Sequence, residues 1–172
     1  MDIRKTLLQE HSRAQVMKVV DYVGDNPRRF EALVQVFLKG PYRVTQRAAW
    51  PLSLCVEQHP ALVLPHLKPI LNQLKRPDVH DAVKRNTIRL LQFIDIPRRY
   101  KGSVAKLCFD FLQSKQEPIA VKVFSMTVLS HIVHYEPAMK TELQIILEDL
   151  LPYGSPGFVS RAVKVLRKLK SL

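Results

Sequence analysis

Residues 78–94 read DVHDAVKRNTIRLLQFI, and their pattern decides the fold. Ala82, Val83, Leu90, Leu91 and Ile94 fall on one side of a helix, and Lys84, Arg85 and Arg89 fall on the other. Asp78 and Asp81 stand at its start, where a carboxylate can cap free backbone N–H groups and meet the positive end of the helix dipole. The triplet Ala82-Val83-Lys84 returns as Ala120-Val121-Lys122 and again as Ala162-Val163-Lys164. A recurring amphipathic helix points to a repeat protein.

Helices preceding each of these segments supply a second set of landmarks. Phe30, Leu33 and Phe37 share their spacing with Leu67, Ile70 and Leu74, with Val104, Leu107 and Phe111, and with Leu143, Ile146 and Leu150. In the following helices Val44, Ala82, Ala120 and Ala162 align. Both sets give a repeat of roughly 40 residues, the length of two antiparallel helices and their turns. A single pair of that size cannot cover its apolar faces, so pairs must stack into a continuous core.

Breakers place the elements. The chain carries 12 prolines and 5 glycines, and most prolines stand between apolar-periodic segments. A short amphipathic segment covers residues 2–10. Ser12 caps a second, with Val16, Val19, Val20 and Val23 on its apolar face, ended by Gly24-Asp25-Asn26. Four pairs follow: Pro27–Leu38 with Tyr42–Gln58, Ala61–Leu74 with Val79–Ile94, Arg98–Gln113 with Ile119–Tyr135, and Ala138–Leu151 with Gly157–Leu169. No stretch alternates as a strand does. The expected architecture is all-α: a single domain over residues 1–172, with residues 1–26 as a helical cap and residues 27–172 as helix-pair repeats. Arg161, Lys164, Arg167, Lys168 and Lys170 guard the far end, with no acid after Asp149.

The second helices resemble HEAT repeats. In that family the second helix opens with Asp, followed by Val-Arg or Val-Lys, a small residue and a Leu at helical spacing. Here those are Asp78, Val83-Lys84, Thr87 and Leu91; in the third pair they are Val121-Lys122, Ser125 and Leu129. The first pair has Thr45-Gln46, Ala49 and Ser53, and the last has Val163-Lys164 with Arg167 at the small position. The resemblance covers Pro27 to the end. It implies a right-handed α-α superhelix whose second helices line a concave, ligand-binding side. HEAT-like arrays mostly bind proteins, although one group, the alkylpurine DNA glycosylases, builds an enzyme on this plan. Those enzymes use an Asp with aromatic residues in a basic groove. No acid lies beside Trp50 on its helix, and no catalytic residue is carried over.

Lys and Arg number 27 against 15 acids, a formal charge of +12, which favours an acidic partner. Charge is divided nearly evenly between first and second helices, but first-helix cations cluster at ends and turns. Arg47, Lys84, Arg85, Arg89 and Lys122 fall within second helices, with Trp50 among them. Aligned cations beside an indole suit phosphates or carboxylates, because guanidinium and ammonium groups fork onto oxyanions and the ring can stack. These six residues form the candidate ligand-binding face, for an acidic protein segment or nucleic acid.

Other chemistry finds little support. Cys55 and Cys108 sit among apolar neighbours and read as buried free thiols. His131 and His134 stand one helical turn apart, yet no third ligand accompanies them, so no metal site is assigned. Neither a phosphate loop nor a nucleophile motif is present, and no cofactor is expected. With no signal-like or transmembrane run, the chain is expected to be cytoplasmic, without membrane insertion. The leading expectation is a non-enzymatic binding module. The alternatives are an enzyme acting on alkylated DNA bases and a structural homo-oligomer in which Trp50 lies at the contact.

Overall fold

The computed structural model describes residues 1–171. They form ten α-helices joined by turns and three short 3-10 segments, with no strand among them. The chain divides into two compact units, Met1–Ile94 and the residues from Asp95 onward.

The first unit opens with α1 (Ile3–Gln9) and α2 (Arg13–Val23). Asp2 and Ser12 cap them, each side chain accepting a backbone N–H three residues on, at 2.9 and 3.2 Å. Gly24 ends α2 at φ +52°, a conformation in which a side chain would be strained. Next come α3 (Pro27–Lys39), α4 (Tyr42–Gln58), α5 (Leu67–Gln73) and α6 (Asp81–Leu90). α4 is the hub: α1, α2, α3 and α6 all pack on it. Phe30, Leu33, Phe37, Leu52, Ile70 and Ile88 are fully enclosed in the resulting core. Gly40 is required at the α3–α4 turn. A Cβ there would lie 2.6 Å from the Val36 carbonyl oxygen and 2.7 Å from a Val44 methyl.

The second unit contains α7 (Arg98–Gln113), α8 (Ile119–Ile132), α9 (Ala138–Leu150) and α10 (Pro156–Lys170). α8 packs on both α7 and α10, and α9 packs on α10. Val121, Met126, Val128 and Leu129 bury all round α8, as expected of a helix with neighbours on two sides.

Two expected helices take different bounds. The segment read as Ala61–Leu74 is a 3-10 turn over Pro60–His66 followed by α5. Pro65 lacks an N–H and disfavours helical geometry at Leu64, so the α-helix starts only beyond it. The segment read from Asp78 begins at Asp81. His80 is its N-cap, accepting the Ala82 N–H at Nδ1 over 2.9 Å, whereas Asp78 turns back to Arg76 in an exposed ion pair at 3.3 Å. The capping role expected of Asp78 therefore belongs to His80.

Burial also corrects the register of the last repeat. The small inward position is occupied by Ala49, Thr87 and Ser125, each at most 1% exposed. In α10 the matching buried set is Phe158, Ala162 and Val165, with Arg167 in water. Ala162 therefore corresponds to Thr87 and Ser125. The third Ala-Val-Lys is a coincidence of sequence, out of register with the other two.

Candidate binding surface

The six residues expected to line one basic face have different surroundings. Arg47, on α4, donates from Nη1 to the Leu7 and Leu8 carbonyl oxygens at 2.8 and 3.2 Å. Those carbonyls lie in the last turn of α1, where no helical N–H can reach them. Arg47 thus fastens the N-terminal helices to the hub. Trp50, three residues on, is half-buried with its ring edge-on to His11, centroids 6.3 Å apart, in the α1–α2 connection. Both residues sit where α1 and α2 meet α4, a seam invisible to an alignment of repeats because the cap is not a repeat.

Arg89 is a second tie. Its Nη2 meets the Glu57 carboxylate at 2.6 Å, its Nη1 donates to the Ser53 hydroxyl at 3.1 Å, and its guanidinium lies 5.2 Å from the Phe93 ring centroid. Ser53 itself donates to the Trp50 carbonyl at 2.9 Å and to Asn86 Oδ1 at 3.3 Å. A polar network therefore joins α4 to α6, buried at Ser53 and Asn86, half-buried at Arg89 and exposed at Glu57. Pro51, the residue before this cluster's Leu52-Ser53 turn, is buried inside α4.

Lys84 is half-buried on α6, while its neighbour Arg85 is exposed and forms no ion pair among the described residues. Lys122, on α8 in the second unit, is half-buried. Ile88, the residue before Arg89 on α6, and Met126, four residues after Lys122 on α8, are fully enclosed.

In the second unit the cations expected to guard the far end are joined by an acid-free neighbour. α8 and α10 contain no Asp or Glu, and together carry Lys122, Arg161, Lys164, Arg167, Lys168 and Lys170. α9 carries Glu142, Glu148 and Asp149 against Lys140. Arg161 reaches Thr127 Oγ1 on α8 at 2.5 Å and so ties the two helices together. Lys164, Arg167, Lys168 and Lys170 are exposed. His131 lies half-buried on α8; burial first, and then the charge of Lys168, pulls its pKa below the usual imidazole value.

Catalytic groups do not gather at these places. Asp81 is exposed in the first turn of α6, and Asp95, 81% exposed, faces Lys101 Nζ at 3.8 Å. Burial pushes both Cys55 and Cys108 up to about 12, with a Ser125 hydrogen bond slightly opposing the rise at Cys108, so both remain neutral thiols. Among the described residues no three His, Cys, Asp or Glu converge as metal ligands, and no helix is long and apolar enough to cross a membrane. A cavity of about 120 Å³ lies against Gly40, Tyr42, Gln73, Arg76 and His80. It is smaller than the several hundred Å³ typical of small-molecule pockets.

Stacked helix pairs with a buried small residue at one register agree with the family comparison: a model of the HEAT repeat domain matches residues 3–169. The chain belongs to the HEAT-repeat family. Its all-α fold is that of a HEAT-like solenoid. No curated protein and no solved structure matches it. HEAT repeats generally mediate protein interactions or scaffolding, and the family is typically non-enzymatic.

Proposed function

We propose that this HEAT-repeat chain is a non-enzymatic binding module that takes an acidic segment of a partner protein on the second helices of its first unit. The observation that carries this reading is Arg85. It stands in water midway along α6, beside Lys84, on a helix whose single acid is Asp81. Arg47 and Arg89 are engaged as structural ties, and the half-exposed Trp50 supplies an aromatic edge on α4. The planar guanidinium fork of Arg85 can take both oxygens of a carboxylate. No catalytic residue and no cofactor are assigned, and two buried thiols suit a reducing, cytoplasmic setting.

Trp50 is the chain's one tryptophan, so its emission reports directly on the first unit. Titration with a Glu-rich peptide should change that emission saturably. Arg85→Gln should weaken the peptide at least fivefold without lowering the melting temperature. Equal affinity for wild type and variant would refute the assignment.

A further inference from the structure

We propose that the exposed ridge of α10 is a second binding surface, one that takes the phosphodiester backbone of a nucleic acid. It lies in a different unit from the acidic-segment site and rests on a different observation.

Along α10 the buried stripe is Phe158, Ala162, Val165 and Leu169. The opposite arc carries small and cationic side chains together with Pro156 and the half-buried Val163. Gly157, Ser160 and Ser171 keep it low, and Lys164, Arg167 and Lys168 stand up from it. None of these three cations makes an ion pair among the described residues. From Lys164 to Lys168 the helix rises about 6 Å, close to the rise of about two nucleotides of one strand. Neighbours three and four residues apart are about 5–6 Å from one another. The ridge therefore offers a closely spaced row of positive charge, standing on low backbone that a strand can approach.

The setting strengthens the field. α8, packed against α10, is also without an acid, and Arg161 locks the two together through Thr127. His131 on α8 has its pKa lowered by burial first and by the charge of Lys168 second, so that cation stands close enough to act on α8. The α9 acids remain on a separate helix and do not pair with the ridge among the described residues.

Three occupants compete for a cationic ridge. A membrane-surface helix needs an apolar face to enter the lipid boundary, and α10's apolar face is spent on the core. Protein partners usually anchor on aromatic or aliphatic side chains in pockets, and between its cations this arc offers only the half-buried Val163. Phosphate neutralisation needs only cations at close spacing and an approachable surface, and it carries no demand for base-edge contacts. The chemistry of the ridge therefore fits a sequence-independent contact to phosphates.

The test is fluorescence anisotropy of the full chain with a labelled random-sequence duplex, from 50 to 300 mM salt. Wild type should bind with affinity falling steeply with salt. In Lys164→Gln/Arg167→Gln/Lys168→Gln, affinity at 50 mM should fall more than tenfold, and the log–log slope should flatten by about 2–3, near one per phosphate contact removed. All three positions are exposed, so the helical circular dichroism should be unchanged. Lys164→Arg/Lys168→Arg should retain binding, and Arg85→Gln should leave it intact. No duplex binding by wild type at 50 mM would overturn the proposal, as would equal slopes for wild type and the triple variant. So would salt-dependent binding to phosphatidylserine vesicles or to a Glu-rich peptide that the triple variant loses while its duplex binding survives.

Discussion

Replacing Arg89 with Ala should cost about 2 kcal/mol of folding stability, although the residue looked from sequence like a ligand-binding cation. Four contributions make up the loss. The Glu57 pair is short but partly solvated, with side chains 23% and 40% exposed, and contributes about 0.5–1 kcal/mol. The Ser53 hydroxyl loses a donor yet keeps Trp50 and Asn86 as partners, so about 0.5 kcal/mol is at stake there. The guanidinium over Phe93 adds about 0.5 kcal/mol, and the aliphatic stem on α4 adds a few tenths. Urea unfolding followed by Trp50 emission measures the loss in the unit that contains it. A double-mutant cycle with Glu57→Gln should return a coupling of about 0.5–1 kcal/mol. An Arg89→Ala variant within about 0.5 kcal/mol of wild type, the range of an ordinary surface change, with no coupling to Glu57, would refute the idea that Arg89 ties α4 to α6.

Other outcomes follow from single buried groups. The Thr87 hydroxyl is buried with no hydrogen-bond partner among the described residues. Thr87→Val removes that desolvation cost at constant shape and should stabilise by about 1 kcal/mol in urea unfolding; a loss of similar size would show that the hydroxyl is satisfied. His131 has a lowered pKa in the folded chain, so the unfolded chain binds the proton more readily. Its contribution is complete above the unfolded imidazole value of about 6.5 and is lost as pH falls below it. Unfolding free energies at pH 7.5 and 5.0 should differ less in His131→Gln than in wild type, and an unchanged difference would assign the acid sensitivity elsewhere.

Much of the architecture is written locally. α4 and α7 start and stop at the bounds read from sequence because Pro41 and Pro97 immediately precede them and apolar periodicity carries them through. Periodicity alone could not tell a 3-10 turn from a helix around Pro65, where two prolines close in sequence reshape an apolar run. Nor could it say which of His80 and Asp78 caps α6, since that depends on where the Arg76 side chain lies. The candidate surface was less legible still. Arg47 and Trp50 look like members of a repeating column, but α1 and α2 pack on α4 beside them, and nothing in the repeat pattern announces that neighbour. The α10 ridge went unrecognised as a surface because charge was compared across whole layers, and the even totals concealed two acid-free helices packed together.

Which cations face water depends on the register of the second helices, and the last repeat tests it most directly. Ala162 is fully enclosed, and Arg167 is exposed. The decisive measurement is the urea unfolding free energy of Ala162→Leu beside Arg167→Ala. Overpacking at Ala162 should cost about 1–3 kcal/mol, and Arg167→Ala should stay within about 0.5 kcal/mol of wild type. The reverse order, with Arg167→Ala destabilising and Ala162→Leu tolerated, would place Arg167 at the inward position and remove the ridge from the surface.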